Sequence, residues 1–146
     1  MKMFRRMRLA LLAIVMALPV LLMTACSEAV GKINDASDAI DAGNYAKAKR
    51  LCDEVRDEHW GELDLYDKTN LACLYLSMVG EDDVDEDEVY DAFRHCWDSA
   101  KEEDEAEVRD YVDDIAGEGA FDAVEGAIDL YDLGKGLEDL GGWLDW

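Results

Sequence analysis

From residue 29 onward, apolar residues recur at steps of three and four, the period of one helix face, with almost none of the alternation that marks a half-buried strand. Val30, Ile33, Ala36 and Ile40 form the first stripe and predict a helix over 29–42. Gly43 then stands where a left-handed cap ends a helix, and Asn44 where an N-cap begins the next. The second stripe, Tyr45, Ala48, Cys52 and Val55 with Leu51 beside it, predicts a helix over 45–59. Two residues between the stripes leave room only for a tight reversal, so the pair is expected to fold as an antiparallel hairpin.

Two more hairpins follow from the same reading. Residues 63–79 predict a long helix whose second half, Leu71-Ala72-Cys73-Leu74-Tyr75-Leu76, is apolar all round, as befits a helix sandwiched between neighbours. After the acidic run 81–88, a helix from about Glu86 carries Val89, Phe93, Trp97 and Ala100 on one face, with Asp85 and Glu88 spaced as a capping box. The third pair is 106–116 (Val108, Tyr111, Val112, Ile115) and 121–133 (Phe121, Val124, Ile128, Tyr131), joined across Gly117 and Gly119. Leu133, Leu137, Leu140 and Leu144, with Trp143 and Trp146, read as a separate closing amphipathic helix that caps the apolar end of the array. The two tryptophans also suit an exposed anchor for a partner. The fold class is therefore all-α: about three antiparallel hairpins and a C-terminal helix.

Gly43-Asn44-Tyr45-Ala46-Lys47-Ala48 resembles the G-x-Y-x-x-A signature at the hairpin turn of tetratricopeptide repeats, over about residues 32–62. The resemblance implies that small Ala48 lets paired helices approach closely and that Tyr45 packs beneath the turn. Asp35-Ala36 replaces the family's usual Leu-Gly, and Trp60 stands where its Pro is common. Aligning second helices on Ala48, Ala92 and Val124 gives separations that straddle the family's period of about 34 residues, so the array is expected to be short and degenerate.

The first 25 residues belong to a different pattern. Lys2, Arg5, Arg6 and Arg8 precede the apolar run 9–22, which is broken only by Pro19; this is signal-peptide anatomy. The run falls short of the ~20 residues that cross a bilayer, which leaves an uncleaved anchor as the alternative. Leu22-Met23-Thr24-Ala25-Cys26 resembles the lipobox of bacterial lipoproteins, with Met23 where Leu is usual. That resemblance implies diacylglycerol on the Cys26 thiol and cleavage just before it, making residues 1–25 a lipoprotein signal peptide and 26–146 the mature domain. It also implies that Ser27 does not hold the protein at an inner membrane, so lipid anchoring in the cell envelope, at the outer membrane, is the expected location. One acyl chain binds a bilayer reversibly, whereas two or three anchor it firmly.

Charge sharpens the division. Residues 1–25 hold four cations and no acid, while the other 121 residues carry ten cations against 36 acids. So acidic a surface repels phosphate backbones, which excludes nucleic acid as a partner, and it is expected to be a solvated exterior.

Candidate chemistry is sparse. Asp83, Asp85 and Asp87 fall at positions 1, 3 and 5 of a calcium loop, but Glu88 replaces its turn glycine and Arg94 its closing bidentate Glu, so no metal site is expected. His59 and His95 sit in no ligand spacing, no catalytic residue is assigned, and no cofactor is implied. Cys52, Cys73 and Cys96 lie on apolar stripes as small hydrophobes; in an oxidising envelope a bridge such as Cys52 to Cys73 stays open. The function read from this is a membrane-tethered, protein-binding scaffold module that holds a partner in a groove between hairpins. Two readings stand beside it: a structural accessory subunit of an envelope complex, and a hydrolase with paired carboxylates.

Overall fold

The structure, a computed structural model, describes residues 28–144, with side chains given through 138. Among these residues it is all helical: α1 (Glu28–Asp41), α2 (Tyr45–Glu58), a single 3-10 turn (Trp60–Glu62), α3 (Leu65–Met78), α4 (Glu86–Ala116) and α5 (Ala120–Leu144). The expected stripes face inward. Val30, Ile33, Ala36 and Ile40 of α1, Ala48, Cys52 and Val55 of α2, and Val89, Phe93, Trp97 and Ala100 of α4 are all buried. Burying each larger side chain of this set contributes about 1.5–3 kcal/mol.

Helix ends are fixed by the residues expected to fix them. Gly43 takes φ +75°, a conformation that glycine adopts without a Cβ clash, and Asn44 accepts from the Lys47 backbone N–H at 3.2 Å. Asp85 accepts likewise from Glu88 N–H at 3.0 Å. The chain between α2 and α3 behaves differently from a simple loop. Trp60–Glu62 coils into the 3-10 turn, and Asp64 caps α3 by accepting from Asp67 N–H at 2.8 Å, so α3 starts two residues later than its hydrophobic pattern suggests.

α3 is the central element. Leu71, Ala72, Cys73, Leu74 and Tyr75 are buried on successive positions, because α1, α2 and α4 all pack on it. Its partly polar start is tied to α4 by Tyr111, whose hydroxyl donates to Asn70 at 2.9 Å, and by Lys68, which reaches Glu103 at 3.0 Å.

α4 contains a one-residue break at Asp104, whose backbone is extended (φ −162°, ψ 94°). Its carboxylate accepts from Glu107 N–H at 3.1 Å and so caps a second segment, which begins almost where the sequence pattern restarts at residue 106. α5 then returns antiparallel along the first segment, and its start also meets the second. Asp122 meets Arg109 at 2.6 Å, Phe121 lies 5.4 Å from Trp97, Tyr131 stacks on Tyr90 at 3.8 Å, and Lys135 pairs with Asp87. Beyond its start, α5 therefore pairs with 87–101 of α4, where the sequence pattern pairs 121–133 with 106–116.

One expectation changes. α5 runs unbroken through Gly134 and Gly136 to Leu144, so the closing helix is the end of α5 and not a separate element. Asp132 to Arg94 at 2.7 Å and Lys135 to Asp87 pin the chain to α4 on both sides of Gly134, which keeps the helix continuous there. Leu133 and Leu137 remain largely exposed, without covering an apolar end of the array.

Candidate partner-binding site

Cys26, the residue on which the sequence places lipid, lies outside the described residues, as do residues 1–25. The side chain of Trp143 and all of Trp146 fall outside them too. The chemistry within the described residues is that of the helical domain.

The first feature is a groove of about 670 Å³ between α2 and the first segment of α4. Lys49, Asp53 and Arg56 line it from α2, and Glu88, Asp91 and His95 from α4. They sit three to four residues apart on each helix, which puts them on one face. Lys49 bridges the two helices, reaching Asp53 at 2.8 Å and Glu88 at 3.1 Å. Arg56 pairs with Asp57 at 3.1 Å and lies 5.7 Å from the centre of the Tyr75 ring. Tyr75 donates its hydroxyl to Asp53 at 2.6 Å from below.

These contacts decide what the groove can do. The hydrogen bond to Asp53 holds the Lys49 ammonium above the ordinary lysine range, so it is not a nucleophilic amine. Asp53 is engaged by two donors, which leaves it poorly placed to take a proton from a substrate. The groove is open and carries both signs of charge, which suits exchange of these ion pairs for those of a polypeptide.

Cys52 and Cys96 lie close to the groove residues Asp53 and Arg56, and Cys73 lies by Tyr111. Cys52, Cys73 and Cys96 are all buried and unbridged. Burial pushes Cys73 and Cys96 up to about 12 and Cys52 higher still, so all three stay protonated and unreactive at neutral pH. The neighbouring thiol in the surroundings of Cys52 is Cys96 of α4, whereas burial alone acts on Cys73. A Cys52 to Cys73 bridge is not formed.

Other candidate groups serve the fold. Asp67 is raised by burial and by the nearby Asp64 charge, but the two residues share the start of α3, where Asp64 is the cap. His59 gives its Nδ1 to Glu62 at 2.8 Å; its buried Nε2 faces Glu28 at 4.0 Å and has no hydrogen-bond partner. The acidic loop turns at Asp83 with φ +68°, and among the described residues no cluster of three or more acidic, His or Cys groups is arranged to hold a metal ion.

The second feature is apolar. Leu130, Leu133 and Leu137 of α5 are exposed on a helix whose other face is packed on α4. The stripe expected to close the array therefore lies open over these residues. No described helix is long and apolar enough to cross a membrane.

No protein-family model matches the chain, and no curated protein or solved structure matches it either.

Proposed function

We propose that this chain is a membrane-tethered lipoprotein of the cell envelope, anchored through Cys26, whose helical domain binds a protein partner. The observation that carries the tether is the succession of a cationic start, the apolar run 9–22 and the lipobox-like Leu22-Met23-Thr24-Ala25-Cys26. Ser27 supports the outer membrane as its destination. Partner binding is supported by two broad surfaces, the charged groove between α2 and α4 and the open leucine face of α5. Both suit a polypeptide better than a small enclosed molecule, which is usually buried over most of its surface. The hairpins are read as a degenerate tetratricopeptide-like scaffold on the strength of the turn around Gly43 and Tyr45.

The tether is tested by metabolic labelling with a palmitate analogue in cells expressing the wild type or Cys26→Ala, followed by membrane fractionation. Label and membrane partition in the wild type, both lost in Cys26→Ala, are expected. Equal labelling of the two proteins removes the lipid assignment. An accessory-subunit role is favoured over a separable binding module only if the mature protein is recovered solely within a larger assembly.

A further inference from the structure

Among the described residues, one buried side-chain nitrogen or oxygen lacks a hydrogen-bond partner: Nε2 of His59. A buried polar atom left in this way costs stability, so its surroundings bear on what the residue does. His59 ends α2, where its backbone N–H donates to the Val55 carbonyl at 3.0 Å. Its own carbonyl accepts from Glu62 N–H at 2.9 Å, and the Glu62 carboxylate returns to Nδ1 at 2.8 Å. These contacts fix the ring.

Two carboxylates then dictate where protons belong. Glu62 can only accept, so in a neutral ring the single proton sits on Nδ1 and Nε2 carries a lone pair. That lone pair faces the Glu28 carboxylate of α1 at 4.0 Å, acceptor against acceptor. An imidazolium instead has a donor on each nitrogen, and each donor faces a carboxylate. Among the described residues, Glu62 and Glu28 are the carboxylates within 4.0 Å of the ring. The His59 side chain is 12% exposed, whereas that of Glu28 is 72% exposed, so Glu28 is the partner free to close the remaining ~1 Å to hydrogen-bond distance.

The other charges at this corner leave the closure open to Glu28. Lys32, one turn along α1, lies 3.5 Å from Glu28 and 3.3 Å from Glu54, and so keeps a partner when Glu28 turns to the ring. Arg56 of α2 is held by Asp57. Lys68 of α3 and His95 of α4 stand against the Trp60 ring, at 5.3 and 5.2 Å from its centre. Histidine is the side chain whose charge ordinarily changes between about pH 5 and 8. We infer that His59 is a proton-operated latch: in mild acid a proton from solvent adds to Nε2, and the imidazolium bridges Glu62 and Glu28, fastening the start of α1 to the corner between α2 and α3. Because α1 begins two residues after Cys26, the latch stiffens the joint between the domain and its proposed anchor. The latch itself does not depend on the lipid.

The test uses the full chain as isolated from its own cells, carried in a zwitterionic nanodisc if it partitions with membrane. Hydrogen–deuterium exchange is followed by mass spectrometry at pH 7.5 and pH 5.5 and corrected for the intrinsic pH dependence of amide exchange. The readout is residues 32–36, whose amides are the first to be hydrogen-bonded within α1. In the wild type, acidification is expected to slow their corrected exchange by about two- to fivefold, the scale of a partly exposed ion pair. His59→Gln, which cannot take up the proton, and Glu28→Gln, which keeps the partner's shape without its charge, are each expected to lose most of that slowing. A wild type that does not slow, or either variant slowing as much as the wild type, overturns the inference. Glu28→Gln leaves the buried ring in place, so it decides the matter if His59→Gln does not keep the wild-type circular dichroism.

Discussion

Three buried thiols make the fold sensitive to base in a way that can be worked through. Cys73 and Cys96 are pushed up to about 12 by burial, and Cys52 further. In the unfolded chain each ionises near ~8.5. Below that pH both states hold the protons, and the thiols impose no pH dependence. Between about 8.5 and 12 the unfolded chain has released protons that the folded chain keeps, so stability falls as pH rises. Each thiol removes about 1.4 kcal/mol per pH unit in that window. Two units above the unfolded value, the three together remove about 8 kcal/mol, comparable with the whole stability of a typical domain. Urea unfolding followed by far-ultraviolet circular dichroism, from pH 7.5 to 10.5, should show a midpoint that collapses above about pH 9. Cys52→Ala/Cys73→Ala/Cys96→Ala should start less stable at pH 7.5 because of small cavities, yet stay nearly flat to about pH 9 and fall less steeply than the wild type beyond it, where tyrosines raised by burial, such as Tyr75 and Tyr131, begin to contribute. A wild-type midpoint unchanged to pH 10.5, or the same decline in the triple variant, would refute the reasoning.

Further outcomes follow from single contacts. Tyr75→Phe removes the hydroxyl that donates to Asp53 at 2.6 Å while keeping the buried ring, and chemical denaturation should register a loss of about 1.5–3 kcal/mol, the range for a hydrogen bond to a charged group. Gly126 lies in mid-helix on α5 with open space where an added methyl would stand, so Gly126→Ala should stabilise the protein by up to about 1 kcal/mol, whereas Gly43→Ala, at φ +75°, should destabilise it by a similar amount. The formal charge of −22 across the chain is self-repulsive, so raising sodium chloride from about 10 mM to about 150 mM should raise the thermal midpoint in calorimetry.

What is legible in the sequence is whatever depends on neighbours in the chain. Helical period places Val30, Ile33, Phe93, Trp97, Phe121 and Val124 in the core, and local capping chemistry places Asn44 and Asp85 at helix starts. The apolar encirclement of α3 announces its central position. The pairs that lock helices together are not legible, because they join residues far apart: Tyr75 to Asp53, Tyr90 to Asp132, Trp97 to Glu125. Nothing local tells which carboxylate of so many a buried tyrosine will meet. The continuity of α5 escapes a sequence reading for the same reason, since the ion pairs that hold it through Gly134 come from α4. Of the candidate sites, the leucines of α5 are visible as a stripe, but their exposure depends on which face α4 covers. The proximity of Cys52 to Cys96 depends on the docking of α2 against α4 and has no signal in spacing.

The claim on which the functional account turns is the chemistry at Cys26. Intact-mass spectrometry of the native protein, extracted from the membranes of its own cells, tests it directly. The account predicts a chain that begins at Cys26 and carries the added mass of a diacylglyceryl group, with or without a further acyl chain. A chain that still contains residues 1–25, or one that begins at Cys26 with no added mass, would contradict it.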